Sequence, residues 1–323
     1  HRSKEFVKTA EKAEESIRKL LDISDDYAVL FMQGGATLQF AMTALNLARP
    51  GDTADYVVTG AWGKKAVKEA ARFCNVNVAA DAQSSNYSHI PDEDEWRTSE
   101  GAAYLHYTPN ETIGGVEFHH VPKGGDSGSV PLVADMSSNI LSRPIDVDRF
   151  GVIYAGAQKN IGPAGITLVI VRRDLLDIAR EGAPTLLTYK AFADSGSMTN
   201  TPPVFAWYVA GLVFEHLLGN GGLKAAAEIN ERKAAKLYAA IDTSDFYSNP
   251  VAVDSRSRMN VPFVLASPEL DGVFLEESGA AGLTNLKGHR SVGGMRASIY
   301  NAVSENSVDA LIDFMQNFEK TRA

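Results

Sequence analysis

Gly151-Val-Ile-Tyr-Ala-Gly-Ala-Gln-Lys159-Asn-Ile-Gly-Pro-Ala-Gly165-Ile-Thr-Leu-Val-Ile-Val171 decides the fold. Two apolar runs, Val152 to Ala155 and Ile166 to Val171, flank a short turn rich in glycine with one proline, which is the pattern of two buried strands joined at one edge of a sheet. Lys159 is the only charged side chain in the 22 residues from Phe150 to Val171. A lysine held there is partly desolvated, and desolvation lowers an amine's pKa, supplying the neutral nucleophile that Schiff-base chemistry needs. The same stretch also admits a plain loop lysine whose ammonium snorkels to solvent.

Upstream, the run Val130 to Ala134 ends at Asp135, 24 residues before Lys159. Both residues therefore fall at strand ends, where open α/β sheets bind ligands, and a buried carboxylate there needs a cation such as a protonated pyridine nitrogen. Asp135 capping a turn through Ser137 or Ser138 is the other reading. Strand, glycine turn and helix recur further upstream: Tyr27 to Met32, Gln33-Gly34-Gly35, then an apolar helix; Asp55 to Val58, Gly60, then a helix from Trp62 to Phe73. Apolar runs at Val76 to Ala80 and Ala102 to Tyr107 complete seven strands of a mostly parallel sheet covered on both faces, an α/β fold. Before it, Phe6, Ala10, Ala13, Ile17 and Leu20 mark an amphipathic helix.

Downstream, helices are expected from Pro203 to Leu218 and from Leu223 to Ile241, broken at Gly219-Asn220-Gly221-Gly222. Beyond them the order becomes a strand at Val261 to Ala266, a helix near Pro268 to Ala280, a strand at Met295 to Tyr300 and a closing helix, a small α+β unit. The expected organisation is a large domain over 1–224 and a small one over 225–323, with a cleft between them.

The chain has 323 residues and a formal charge of -9, which disfavours nucleic-acid and anionic-membrane partners, so an anionic ligand must meet locally gathered cations. One cysteine, Cys74, leaves no disulfide framework and suggests a reducing, cytoplasmic setting. The charge-free stretch Ser195 to Phe214 is polar in its first half and too short in its apolar part to span a membrane. The chain opens at His1 with neither Met nor an apolar leader core, giving the expectation that native residues lie upstream.

Gly34-Gly35 can offer backbone N–H groups to a phosphate at a helix N-terminus, although no nucleotide-loop signature follows. Trp62 stands where an indole either stacks on a flat cofactor or packs on the core. Lys287-Gly-His-Arg-Ser-Val-Gly-Gly-Met-Arg-Ala297 gathers cations around three glycines and reads as an anion site or a solvated loop, and His1-Arg2 is a similar pair. His119-His120 lacks a carboxylate or thiol at ligand spacing, so no metal site is expected.

Together these residues resemble the phosphoserine aminotransferases, class-V members of the fold-type I enzymes that use pyridoxal 5′-phosphate (PLP). The resemblance runs through His1-Arg2 with Lys4-Glu5-Phe6, Gln33-Gly34-Gly35 with Gln39-Phe40, Ala54-Asp55-Tyr56, and His106-Tyr107 with Pro109-Asn110-Glu111-Thr112. It continues through Ala134-Asp135 with Ser137-Ser138, the Lys159 turn, Asn200-Thr-Pro-Pro203, Arg258-Met-Asn-Val-Pro262, and Gly288-His-Arg with Gly293-Gly-Met-Arg296.

The resemblance implies that Lys159 carries the cofactor as a Schiff base and shuttles a proton, Asp135 pairs with the pyridine nitrogen, and Trp62 stacks on the ring. Thr112 would bond the ring hydroxyl. Gly35, Ala36 and Gln158 would hold the cofactor phosphate, joined by Asn200 and Thr201 from the partner subunit of an obligate homodimer. Arg296 would take the substrate α-carboxylate, and His1, Arg2, His289 and Arg290 the substrate phosphate or the glutamate side chain. The implied reaction moves the amino group between L-glutamate and 3-phosphohydroxypyruvate, in serine biosynthesis; a part in pyridoxine biosynthesis is left open. Thr37 stands where some members carry Arg, and the family's opening segment rich in Asn, Phe, Ser, Gly and Pro precedes the matching region. A cysteine desulfurase would need a reactive thiol on a mobile loop, whereas Cys74 ends a predicted helix. A non-catalytic scaffold that binds a phosphometabolite is the alternative from another class, and it would be colourless.

Overall fold

The computed structural model describes residues 1–123 and 130–322; residue 323, which ends the expected small domain, lies outside them. The amphipathic run forms helix α1 (Lys4–Leu21), started by Ser3, whose Oγ accepts from Phe6 N at 3.3 Å. Ala10, Ala13, Ile17 and Leu20 are its buried face, as the spacing predicts. Strand β1 (Tyr27–Met32) is buried along its whole length because alternate residues enter different layers: Tyr27, Val29 and Phe31 join one apolar core, and Ala28, Leu30 and Met32 the other. A strand covered on both faces has no use for polar alternation, which is why its sequence reads as one apolar run.

The remaining elements of the large unit are α2 (Gly35–Leu47), β2 (Thr53–Val58), α3 (Ala61–Ala70), β3 (Asn75–Asp81), β4 (Leu105–Tyr107), the hairpin β5 (Asn110–Glu111) and β6 (Val116–Glu117), β7 (Leu132–Asp135), β8 (Val152–Gly156), β9 (Thr167–Arg172), α4 (Tyr189–Asp194) and α5 (Val204–Gly219). All seven strands expected from apolar runs form and join one sheet in the order β1-β9-β8-β7-β4-β2-β3. β9 pairs antiparallel with β1 and β8, and the other neighbours are parallel, so the carboxyl ends of β1, β2, β4, β7 and β8 share one edge. The expected helix over Trp62 to Phe73 ends at Ala70, where Phe73 N turns back to Ala70 O.

Helix α6 (Gly222–Asp242) leads into an antiparallel sheet of β10 (Tyr247–Ser248), β11 (Asn260–Leu265) and β12 (Met295–Ser298), backed by α7 (Asp271–Ala280) and α8 (Glu305–Arg322). These elements share a third core that includes Leu237, Phe263, Phe274, Ala297 and Phe318. The strand expected to run to Tyr300 stops at Ser298 for an electrostatic reason. Lys233 of α6, fully buried, donates to the carbonyls of Ile299 (3.0 Å), Tyr300 (2.9 Å) and Val303 (2.9 Å), turning them away from the sheet. The turn is fastened to the large unit as well: Asn301 N donates to Asn160 Oδ1 at 3.0 Å, and Asn301 Nδ2 to Leu141 O at 2.8 Å. β12, which carries Arg296, is thereby tied to the turn that carries Lys159.

Candidate active site

Chain direction assembles the site, because the turns after β1, β2, β4, β7 and β8 all open at the same sheet edge, the place where open α/β sheets bind ligands. The ends of these strands and the segments that follow them carry, in turn, Gly35, Trp62, Thr112, Asp135 and Lys159. Lys159 is part-buried, and its Nζ donates to Thr112 Oγ1 at 2.6 Å and stands 5.9 Å from the centre of the Trp62 ring. Burial lowers its pKa, with Asp135 and Glu111 pulling it upward and Arg296 pushing it further down. The lysine expected from its apolar flanks is therefore desolvated and tethered, not a snorkelling loop residue.

Asp135 is buried at the last position of β7. Its Oδ1 accepts from Ser137 N (3.0 Å) and Ser137 Oγ (2.6 Å), capping the turn, while Oδ2 takes no hydrogen bond among the described residues. Burial raises its pKa, and the Ser137 bonds and Lys159 oppose that rise.

Gly34 (φ 93°) and Gly35 (φ 68°) take left-handed backbone at the start of α2, a conformation that side chains disfavour. A Cβ at Gly35 would have no heavy atom within 4 Å, so the first turn of α2, with Gly35 and Ala36, borders open space. Gln158 is exposed next to Lys159. From β12, Arg296 Nη1 donates to Thr112 O at 3.3 Å, while its buried Nε has no partner among the described residues. Thr112 thus joins the lysine to the arginine of the small sheet.

The other expected residues are not brought to this point within one chain. Asn200 and Thr201 lie against Gln33, whose Nε2 donates to Asn200 Oδ1 at 3.1 Å and Thr201 O at 3.2 Å. His289 and Arg290 are exposed on the glycine-rich loop, where His289 Nδ1 meets Ser291 Oγ at 2.7 Å. His1 and Arg2 contact each other before α1, Arg2 Nε donating to His1 Nε2 at 3.2 Å. His120 bonds Glu93 and His119 bonds the Arg256 carbonyl; among the described residues no three His, Cys, Asp or Glu side chains are grouped to hold a metal ion.

The aminotransferase class-V family profile matches residues 1–311. The chain belongs to the class-V aminotransferases. It is 60% identical over 318 residues to the phosphoserine aminotransferase of Hahella chejuensis, covering 98% of this chain and 87% of that protein. The crystallised phosphoserine aminotransferase of Bacillus circulans subsp. alkalophilus superposes with a TM-score of 0.97 at 47% identity, covering 100% of this chain and 89% of that one. The PLP-bound phosphoserine aminotransferase of Trichomonas vaginalis gives 0.92 at 39% identity, covering 98% and 89%. The family read from the Lys159 and Arg296 motifs is the one the comparisons find.

Two further buried polar residues carry no role in the sequence reading. Glu111, next to Thr112, is fully buried and caps α3 from another strand: Oε2 accepts from Trp62 N at 3.0 Å and Oε1 from Gly63 N at 2.8 Å. A contact between residues about fifty positions apart leaves no local signature; the only sequence signal is a carboxylate amid residues that read as buried. His106, fully buried on β4, is stacked on Tyr56 at 4.8 Å and bonded through Nε2 to Tyr154 OH at 2.8 Å.

Burial lowers the His106 pKa from 6.5 to about 3. Between those values the unfolded chain binds a proton that the folded chain refuses, so this group's contribution to stability is lost as pH falls, by about 1.4 kcal/mol per pH unit. His106→Gln, which keeps a polar partner for Tyr154, is expected to flatten the decline between pH 6.5 and 5 in urea unfolding. Parallel declines in parent and variant would contradict the assignment.

Proposed function

We propose that this class-V aminotransferase uses pyridoxal 5′-phosphate to move the amino group between L-glutamate and 3-phosphohydroxypyruvate, giving O-phospho-L-serine and 2-oxoglutarate. The observation that carries the reading is the convergence at Thr112, whose hydroxyl takes the Lys159 amine and whose carbonyl takes the Arg296 guanidinium. A reactive amine and a carboxylate-binding fork on one residue suit an α-amino or α-keto acid.

The residues present fit the cofactor. Among the described residues Asp135 keeps one oxygen without a hydrogen bond, a Cβ at Gly35 would meet open space at the start of α2, and the indole of Trp62 lies near Lys159 with its buried Nε1 unpartnered. When bound, pyridoxal phosphate supplies a protonated ring that takes up the electron pair left on the substrate α-carbon. Lys159 Nζ removes and returns the α-proton, and desolvation, which lowers its pKa, favours the neutral form that this needs. Asp135 holds the proton on the ring nitrogen, Trp62 and Thr112 orient the ring, and Gly35, Ala36 and Gln158 hold the phosphate. Arg296 binds the α-carboxylate, and His289 and Arg290, with His1 and Arg2, form the anion site for the substrate phosphate or the glutamate side chain.

A homodimer with shared sites belongs to this reading. Phe205, Tyr208 and Leu212, 72%, 47% and 44% exposed, form an apolar stripe on α5 just beyond Asn200 and Thr201, which suits a face covered by a second copy. Asn200→Ala or Thr201→Ala should weaken cofactor retention by about 10- to 150-fold, the worth of a hydrogen bond to a charged group, and make it depend on protein concentration. A dilution series that yields a fully active monomer would contradict this. Two domains, 1–224 and 225–323, are supported by separate apolar cores, one ending at Leu223 and the other beginning at Ala234. A reducing, cytoplasmic setting is supported by the single, buried Cys74, and among the described residues no helix is long and apolar enough to cross a membrane.

Steady-state kinetics test the substrate. The account expects kcat/KM for 3-phosphohydroxypyruvate to exceed that for pyruvate by about 100-fold or more, since an anion site left empty forfeits charged hydrogen bonds. Equal use of the two keto acids would overturn the choice.

A further inference from the structure

Helix α3 has an unusual start. Its N-cap, Gly60, has no side chain to cap the helix, and the carboxylate that bonds the first free N–H groups comes instead from Glu111 on β5. Negative charge at that pole of a helix is favoured, and two hydrogen bonds to the charged form hold the carboxylate in place. Gly60 and Glu111 also fit only each other: a Cβ at position 60 would stand 2.5 Å from the Glu111 carboxyl carbon.

The two N–H groups that Glu111 bonds belong to Trp62 and Gly63, and the residue after Glu111 is Thr112, which bonds Lys159 and Arg296. One dipeptide therefore fixes the indole, the lysine and the arginine relative to one another. We propose that Glu111 is a positioning residue for amino transfer, fixing the first turn of α3 so that Trp62 stands at a set height beside Lys159 and placing a second negative charge near that amine. The proposal rests on the reading of Lys159 and Trp62 given above.

Electrostatics agree with the geometry. Burial raises Glu111 to about 7, with the two N–H bonds pulling it down, Asp135 pushing it up and Lys159 pulling it down. Glu111 in turn raises the proton affinity of Lys159. Burial disfavours the charged form of each group, and the attraction between the two opposes that shift in both.

Three variants test this. Glu111→Gln keeps the size but removes the charge and turns one capping oxygen into an amide that faces a backbone N–H. Glu111→Asp keeps the charge, and Gly60→Ala displaces the carboxylate without touching it. The readouts are the circular dichroism induced in bound pyridoxal phosphate, which reports the ring against Trp62, and the pH midpoint for pyridoxal phosphate uptake by the apo chain, which reports the Lys159 amine. Glu111→Gln is expected to halve the dichroic band or more, lower the uptake midpoint by about one unit, and reduce kcat by about 100-fold. Glu111→Asp should restore the midpoint, and Gly60→Ala should reproduce the dichroic loss.

A lower melting temperature with unchanged dichroism and midpoint would make Glu111 merely structural and overturn the proposal. So would a Gly60→Ala protein with the parent's dichroism, which serves if Glu111→Gln does not fold. A parent protein that takes up no pyridoxal phosphate would instead overturn the underlying reading, and the proposal with it.

Discussion

Lys159→Ala is expected to hold pyridoxal phosphate yet turn over about 10²- to 10⁴-fold more slowly, the span for losing a positioned proton carrier. The retained binding follows from the division of labour in the site. On the proposed reading the start of α2 and Gln158 would grip the phosphate end and Asp135 would meet the other end of the ring, so the lysine would be one attachment among several. The lost rate follows from geometry and burial. Lys159 Nζ is held 2.6 Å from Thr112 Oγ1, and desolvation lowers its pKa, which favours the neutral amine the proposed role needs. Alanine leaves nothing that can take the α-proton, and Thr112, at the pKa of an alcohol, is no substitute. Stopped-flow measurement of the glutamate half-reaction isolates this step from product release. A variant with near-parental rate would remove Lys159 from the mechanism.

The second large effect separates two arginines. Arg296, on β12, reaches the Thr112 carbonyl beside Lys159, whereas Arg290 stands exposed on the loop before β12. A substrate with a carboxylate at one end and a phosphate at the other can use both forks, and the chain's charge of -9 means that such local cations must draw it in. Arg290→Ala should raise KM for 3-phosphohydroxypyruvate by about 10- to 150-fold, the worth of a charged hydrogen-bonded contact. Arg296→Ala should impair glutamate and the keto acid alike, because both present an α-carboxylate. Unchanged affinity for the phosphorylated keto acid in Arg290→Ala would remove that residue from the anion site.

The sheet was legible because strands buried on both faces must be apolar throughout, so Tyr27 to Met32, Val152 to Ala155 and Ile166 to Val171 announce themselves. Lys159 and Asp135 were legible for the same reason: a charge at the end of such a run has to be accounted for. The two-residue strand β10, the hairpin of β5 and β6, and the short helix α4 carry too few residues for any period to show. Nor could the sequence reveal what ends β12, since Lys233 acts on carbonyls 66 to 70 residues away. Glu111 escaped for the same reason. Its bonds to Trp62 and Gly63 exist only once β5 lies beside α3, and its neighbour Thr112 draws the eye first.

The absorption spectrum of the purified protein, followed through two additions, tests the central claim most directly. The account predicts a yellow protein whose visible band is bleached by L-glutamate with release of one equivalent of 2-oxoglutarate per site, and restored by 3-phosphohydroxypyruvate far faster than by pyruvate. A colourless protein, a band indifferent to glutamate, or equal restoration by the unphosphorylated keto acid would contradict it.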